Sequence, residues 1–118
     1  MASDVPVIVE SYGNGYRPTG DGTIGGRRFY FRMNGSGDWA FGVERADAPS
    51  EAWASFFTSD EDLQFYIDGS RDGSLYDTEA LPVFVEAIGR YLHHVGVEDI
   101  DTVLGEVKAQ AQARMTAG

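Results

Sequence analysis

The densest run of oxygen-bearing side chains is Asp68-Gly69-Ser70-Arg71-Asp72-Gly73-Ser74-Leu75-Tyr76-Asp77-Thr78-Glu79. A hard cation takes oxygen ligands, and alternate residues of a tight loop can turn theirs toward one centre. Two histidines stand side by side, His93-His94. Adjacent helical residues point about 100° apart, so the pair does not readily share one metal. With Asp99 and Asp101 close in sequence, a His–carboxylate pair is one reading of them. Surface histidines favoured by the dipole at a helix end are the other. Carboxylate pairs are so numerous that none stands out as an acid–base couple, which needs one carboxyl buried and shifted. The sequence has no His-Glu-x-x-His, no Gly-Lys-Ser/Thr and no cysteine. Zero cysteine removes disulfides, thiolate metal sites and cysteine nucleophiles from consideration.

The run from Asp68 to Glu79 resembles the calcium loop of the EF-hand family. Asp68, Ser70 and Asp72 stand at loop positions one, three and five, Gly73 at the sharp turn, Leu75 at the inward apolar position and Glu79 at position twelve. The resemblance implies Asp68, Ser70, Asp72, Ser74 and Glu79 as calcium ligands, and it covers only this loop. The same residues also read as a solvated Asp/Gly/Ser turn that needs no metal.

A second feature is glycine. Eight of the 15 glycines fall between Gly13 and Gly37. Gly13–Gly26 reads as a long flexible Gly-rich loop, either mobile or a lid over a small ligand or enzyme site. Gly13-Asn14-Gly15 follows a strand, as a dinucleotide loop would, but Pro18 takes the place of the third glycine and no helix pattern follows.

These groups need elements to hold them. Val5–Tyr12 is β-branched and apolar and reads as a strand. Arg27–Met33 alternates, with Phe29, Phe31 and Met33 on one face and Arg28, Tyr30 and Arg32 on the other. Asn34–Asp38 is a hairpin turn signal, and Trp39–Glu44 is the partner strand. Residues 50–67 fit helix or strand. Ser59-Asp60-Glu61-Asp62 offers a helix cap, whereas Gln64–Ile67 has a β-rich composition. Leu81–Val95 is an amphipathic helix, with Pro82 expected in its first turn and Gly96 as its stop. A second helix runs from about Asp99 to Arg114, and residues 109–118 are expected to fray. Strands first and helices later predict an α+β fold. A small antiparallel sheet, the N-terminal strand plus the hairpin around Asn34–Asp38, would pack on a C-terminal antiparallel helix pair in a single domain of 1–118.

Charge narrows the partners. The chain has 118 residues and a formal net charge of −10. Residues 60–101 hold 11 acids against Arg71 and Arg90. Direct contact with nucleic acid or anionic lipid needs clustered Lys and Arg, which are lacking. No signal peptide is evident and no apolar run reaches membrane-spanning length, so a cytoplasmic location is expected. The favoured expectation is a non-enzymatic acidic binding protein of the inhibitor, immunity, antitoxin or anti-defence kind. It would block the basic surface of a nuclease or of a CRISPR or restriction effector, with carboxylates standing in for phosphates. The partner-facing residues expected are Asp60, Glu61, Asp62, Asp68, Asp72 and Asp77, with Tyr66 as the aromatic anchor. The alternatives are a calcium module at 68–79 and a ligand-binding domain or enzyme using 13–26.

Overall fold

The computed structural model describes residues 6–13, 18–34, 37–44, 63–70 and 76–117. Five strands, β1 (Val7–Gly13), β2 (Thr19–Ile24), β3 (Arg27–Met33), β4 (Asp38–Glu44) and β5 (Leu63–Ser70), precede two helices, α1 (Asp77–His94) and α2 (Ile100–Ala117). The strands form one antiparallel sheet in sequence order, β1-β2-β3-β4-β5. The architecture is α+β, as the sequence predicts. No helix among the described residues is long and apolar enough to cross a membrane.

Strand periodicity sorts the two faces of the sheet. Register aligns Phe29 with Val43 and Phe65, and Phe31 with Phe41 and Ile67. These side chains face the helices. Phe84 of α1 lies 4.7 Å from Tyr12, 5.3 Å from Phe31 and 6.0 Å from Phe29, ring centre to ring centre. Tyr91, two turns on, meets Phe65 at 5.2 Å. Helix α1 therefore crosses the sheet diagonally from β1 and β2 to β5. Its buried stripe is Ala80, Leu81, Phe84, Ala87, Ile88, Tyr91 and Leu92. The two helices run antiparallel, because Leu104 sits against Gly89 while Thr78 and Leu81 share a groove with Lys108 and Gln112.

Three expectations change and one open alternative is decided. The segment expected as a loop at Gly13–Gly26 contains β2. Its inward positions are Gly20, Gly22 and Ile24, so the strand carries almost no apolar period. A Cβ on Gly20 would lie 2.9 Å from Phe84 Cε1 and 3.0 Å from Tyr12 Cδ1, and one on Gly22 would run into the carbonyl oxygen of Ile8. Glycine is there because α1 and β1 approach too closely for a side chain. Gln64–Ile67 lies in β5 rather than in a helix capped at Ser59, because it completes the sheet beside β4; residues 50–62 lie outside the described residues. Pro82 stands in the second turn of α1, not the first, since the helix starts at Asp77. There it removes the amide that would bond the Thr78 carbonyl. Helix α2 continues through Ala109 to Ala117, including most of the segment expected to fray.

Candidate functional site

The face of the sheet turned away from the helices is polar, and it is ordered in rows. Thr23, Arg28 and Glu44 form one row, Asp21, Tyr30, Gly42 and Tyr66 the next, and Thr19, Arg32, Ala40 and Asp68 the third. At the first row, Arg28 Nε lies 3.1 Å from Glu44 Oε1. Glu44 is buried, so its charge is held by this pair in place of water.

The strand β4 presents only Ala40 and Gly42 at the centre of this face, between Tyr30 and Arg32 on β3 and Tyr66 and Asp68 on β5. Small side chains flanked by large ones leave a depression. At the end of β4 and β5 it widens into an open cavity of about 430 Å³, lined among others by Arg32, Asp38, Ala40, Tyr66, Asp68 and Ser70. Asp38 Oδ1 accepts a hydrogen bond from the Ser70 hydroxyl at 2.7 Å. Asp68 Oδ2 accepts one from the Tyr66 hydroxyl at 3.4 Å. The other oxygen of each carboxylate has no hydrogen-bond partner among the described residues. Two carboxylates, a tyrosine 42% exposed and a serine thus converge on a shallow wall. The arrangement suits a cation carried on an extended chain: carboxylates supply charge, and the ring supplies a flat apolar face.

Of the partner-facing residues expected from sequence, Tyr66 and Asp68 meet here. Asp60, Glu61, Asp62 and Asp72 lie outside the described residues, and Asp77 opens α1. Sequence reasoning missed Asp38 as a member of this site. The signal was available, because the alternation that turns Trp39, Phe41 and Val43 inward turns Asp38 outward.

The candidate calcium ligands are distributed differently from the loop they resemble. Asp68 and Ser70 sit on β5, on the same exposed face, and the Ser70 hydroxyl donates to Asp38. Glu79 Oε1 accepts from the Tyr76 amide at 3.1 Å and so caps α1. Ser74 and Asp72 lie outside the described residues. Among the described residues no three His, Asp or Glu side chains gather to hold a metal. His93 and His94 end α1, where they complement the helix dipole, and the His94 ring lies 5.1 Å from Phe65.

On the helix-facing side, one polar cluster closes the end of the core. Arg27 Nη1 and the Tyr91 hydroxyl both donate to Gln64 Oε1, the latter at 2.9 Å. Burial pushes the Tyr91 phenol above its ordinary range, and the charge and hydrogen bond of Arg27 partly offset that.

Compared with family models, with curated proteins and with solved structures, the chain finds no match. Its own geometry is therefore the ground for a functional reading.

Proposed function

We propose that this chain is a small acidic protein-binding factor of the inhibitor or immunity kind. It docks the open face of its sheet, at the β4–β5 end, onto a basic surface of a nucleic-acid-handling protein. The observation that carries this reading is the convergence of Asp38, Asp68 and the exposed ring of Tyr66 on a face that neither helix covers. The net charge of −10 supplies the long-range attraction, and the two carboxylates supply the local contact.

The test uses a deca-arginine peptide as the probe and follows association and dissociation rates at rising salt. Association should fall steeply with ionic strength. The double variant Asp38→Lys/Asp68→Lys should slow association about tenfold. The same charge change placed on α2 and the turn before it, in Glu98→Lys/Glu106→Lys, should slow it much less. Equal slowing by both pairs would mean that only the overall charge acts, and would overturn the assignment of this face. Salt-independent binding would overturn the electrostatic reading itself.

A further inference from the structure

Strand β1 is an outer strand of the sheet, with β2 on one side only. Hydrogen bonding across the sheet alternates: Gly25 N donates to Pro6 O, so Pro6 and Ile8 turn their backbone groups toward β2. Val7 and Val9 therefore turn theirs outward. Those outward groups meet side chains of α2 from more than a hundred residues away. The Val9 amide donates to Gln110 Oε1 at 2.8 Å, and Gln110 Nε2 donates to the Val7 carbonyl at 2.9 Å. Arg114 Nε donates to the Val9 carbonyl at 3.0 Å.

A primary amide carries a donor and an acceptor in the same plane as a peptide group. Gln110 thus presents to β1 what a neighbouring strand would present. An unpaired edge strand is a template for another chain, and natural sheets cover or interrupt such edges. Among the described side chains of α2, Val107 and Ala111 are buried, and Ile100, Val103, Leu104 and Met115 pack partly buried against the core. These apolar residues hold the helix in place, and the three polar contacts are what occupies the outward backbone groups of β1.

The strand beneath is self-complementary. An antiparallel copy centred on Ile8 would place Val7 opposite Val9 of its mate, and these are the residues whose backbone groups face outward. Ile8 would then meet Ile8 at the close, non-hydrogen-bonded position, where side chains pack best. Ile8 is 50% exposed on the open face, a β-branched apolar side chain with no cover of that extent. We infer that β1 is a latent strand-pairing surface for a second copy of this chain, and that Gln110 and Arg114 act as a stand-in strand that keeps it shut.

The test is the double variant Gln110→Ala/Arg114→Ala in the full chain. Hydrogen exchange at the Val9 amide should accelerate about tenfold, as expected for losing a hydrogen bond from a locally opening unit. The mass measured by light scattering should rise with concentration toward twice that of the wild type at matched concentration. Adding Ile8→Lys, which sets two ammonium groups against each other at the pair centre, should return the mass to the wild-type value. If the double variant has no cooperative unfolding transition, Gln110→Met is read instead. It keeps the length of the side chain, removes both the acceptor for Val9 and the donor to Val7, and should move both readouts the same way. An unchanged Val9 exchange rate would overturn the guard. Faster exchange without any rise in mass, or a rise that Ile8→Lys leaves in place, would overturn the pairing.

Discussion

Replacing a glycine with alanine restricts the unfolded chain and so favours folding by about 0.4–1 kcal/mol wherever the native site accepts a methyl group. The three glycines Gly105, Gly89 and Gly20 should therefore give three different outcomes. Around Gly105, on the exposed side of α2, nothing lies within 4 Å of an added Cβ. Gly105→Ala should stabilise by about 0.5–1 kcal/mol, helped by helix propensity. At Gly89 the nearest atom is Leu104 Cδ1 at 3.0 Å, the end of a partly exposed side chain that can turn away. Gly89→Ala should fall near zero. At Gly20 the Cβ meets two rings at once, Phe84 at 2.9 Å and Tyr12 at 3.0 Å. Carbon atoms rest about 3.5–4.0 Å apart, so the overlap is about half an ångström or more against both. Phe84 is fully buried and Tyr12 is 4% exposed, and their centres are already 4.7 Å apart, so neither ring has room to retreat. Overpacking of this kind costs about 1–3 kcal/mol, which outweighs the entropic gain. Gly20→Ala should thus lose about 1–2 kcal/mol, a fall in melting temperature of several degrees. Urea titrations with a common m-value measure all three. Gly20→Ala as stable as Gly105→Ala would show that β2 does not pass this close beneath α1, and the account of the glycines would fail.

The Tyr91 phenol is raised, so the unfolded chain loses that proton first as pH climbs through about 10. The tyrosine contribution to stability is therefore present below pH 10 and declines above it, by at most about 1.4 kcal/mol per pH unit. Tyr91→Phe should flatten the alkaline limb of the stability–pH curve relative to the wild type, while costing about 1 kcal/mol at neutral pH for the bond to Gln64. An alkaline limb identical in both proteins would refute the assignment. Glu79→Ala should destabilise by about 0.5–1 kcal/mol through loss of the α1 cap, equally in calcium and in chelator. A loss seen only in calcium would instead make Glu79 a metal ligand.

How much was legible depends on what each element hides. The hairpin of β3 and β4 was readable because its inward residues are Phe29, Phe31, Met33, Phe41 and Val43, a period no other structure explains. Helix α1 is readable for the same reason, although Pro82 argues for a first turn at Leu81 and the helix begins earlier, at Asp77. Strand β2 was illegible because its inward positions hold Gly20 and Gly22. Hydropathy patterns record side chains, and here their absence is the structural feature. Strand β5 is ambiguous in sequence because Ser59-Asp60-Glu61-Asp62 offers a helix cap before the β-rich Gln64–Ile67, and Asp68-Gly69-Ser70 matches a turn as well as a strand end. Pairing of Asp38 with Ser70 and of Ala40 with Asp68 decides it, and such pairing is a long-range fact. The site is only partly legible for the same reason: Tyr66 and Asp68 belong to one charged segment, but their companion Asp38 comes from another strand.

Among the described residues, the acids of the stretch 60–101 do not gather on one acidic surface. Glu79 gives an oxygen to the Tyr76 amide at the start of α1. Asp101 lies in the first turn of α2, with Glu98 and Asp99 exposed just before it, where the helix dipole favours negative charge. Glu86 points outward from the middle of α1. Several of these acids therefore have local reasons to be where they are, and none of those reasons needs a partner. Asp38 and Asp68 differ. They stand at no helix end, and each is hydrogen-bonded only by a neutral hydroxyl among the described residues. Among the described residues lining that cavity, the two carboxylates meet one cation, Arg32, so one negative charge stands in excess there. A bound cation would offset that charge, and so Asp38→Asn/Asp68→Asn should leave stability unchanged or raise it while weakening the deca-arginine complex. A variant that loses stability and keeps binding would reverse the argument, making these carboxylates part of the scaffold.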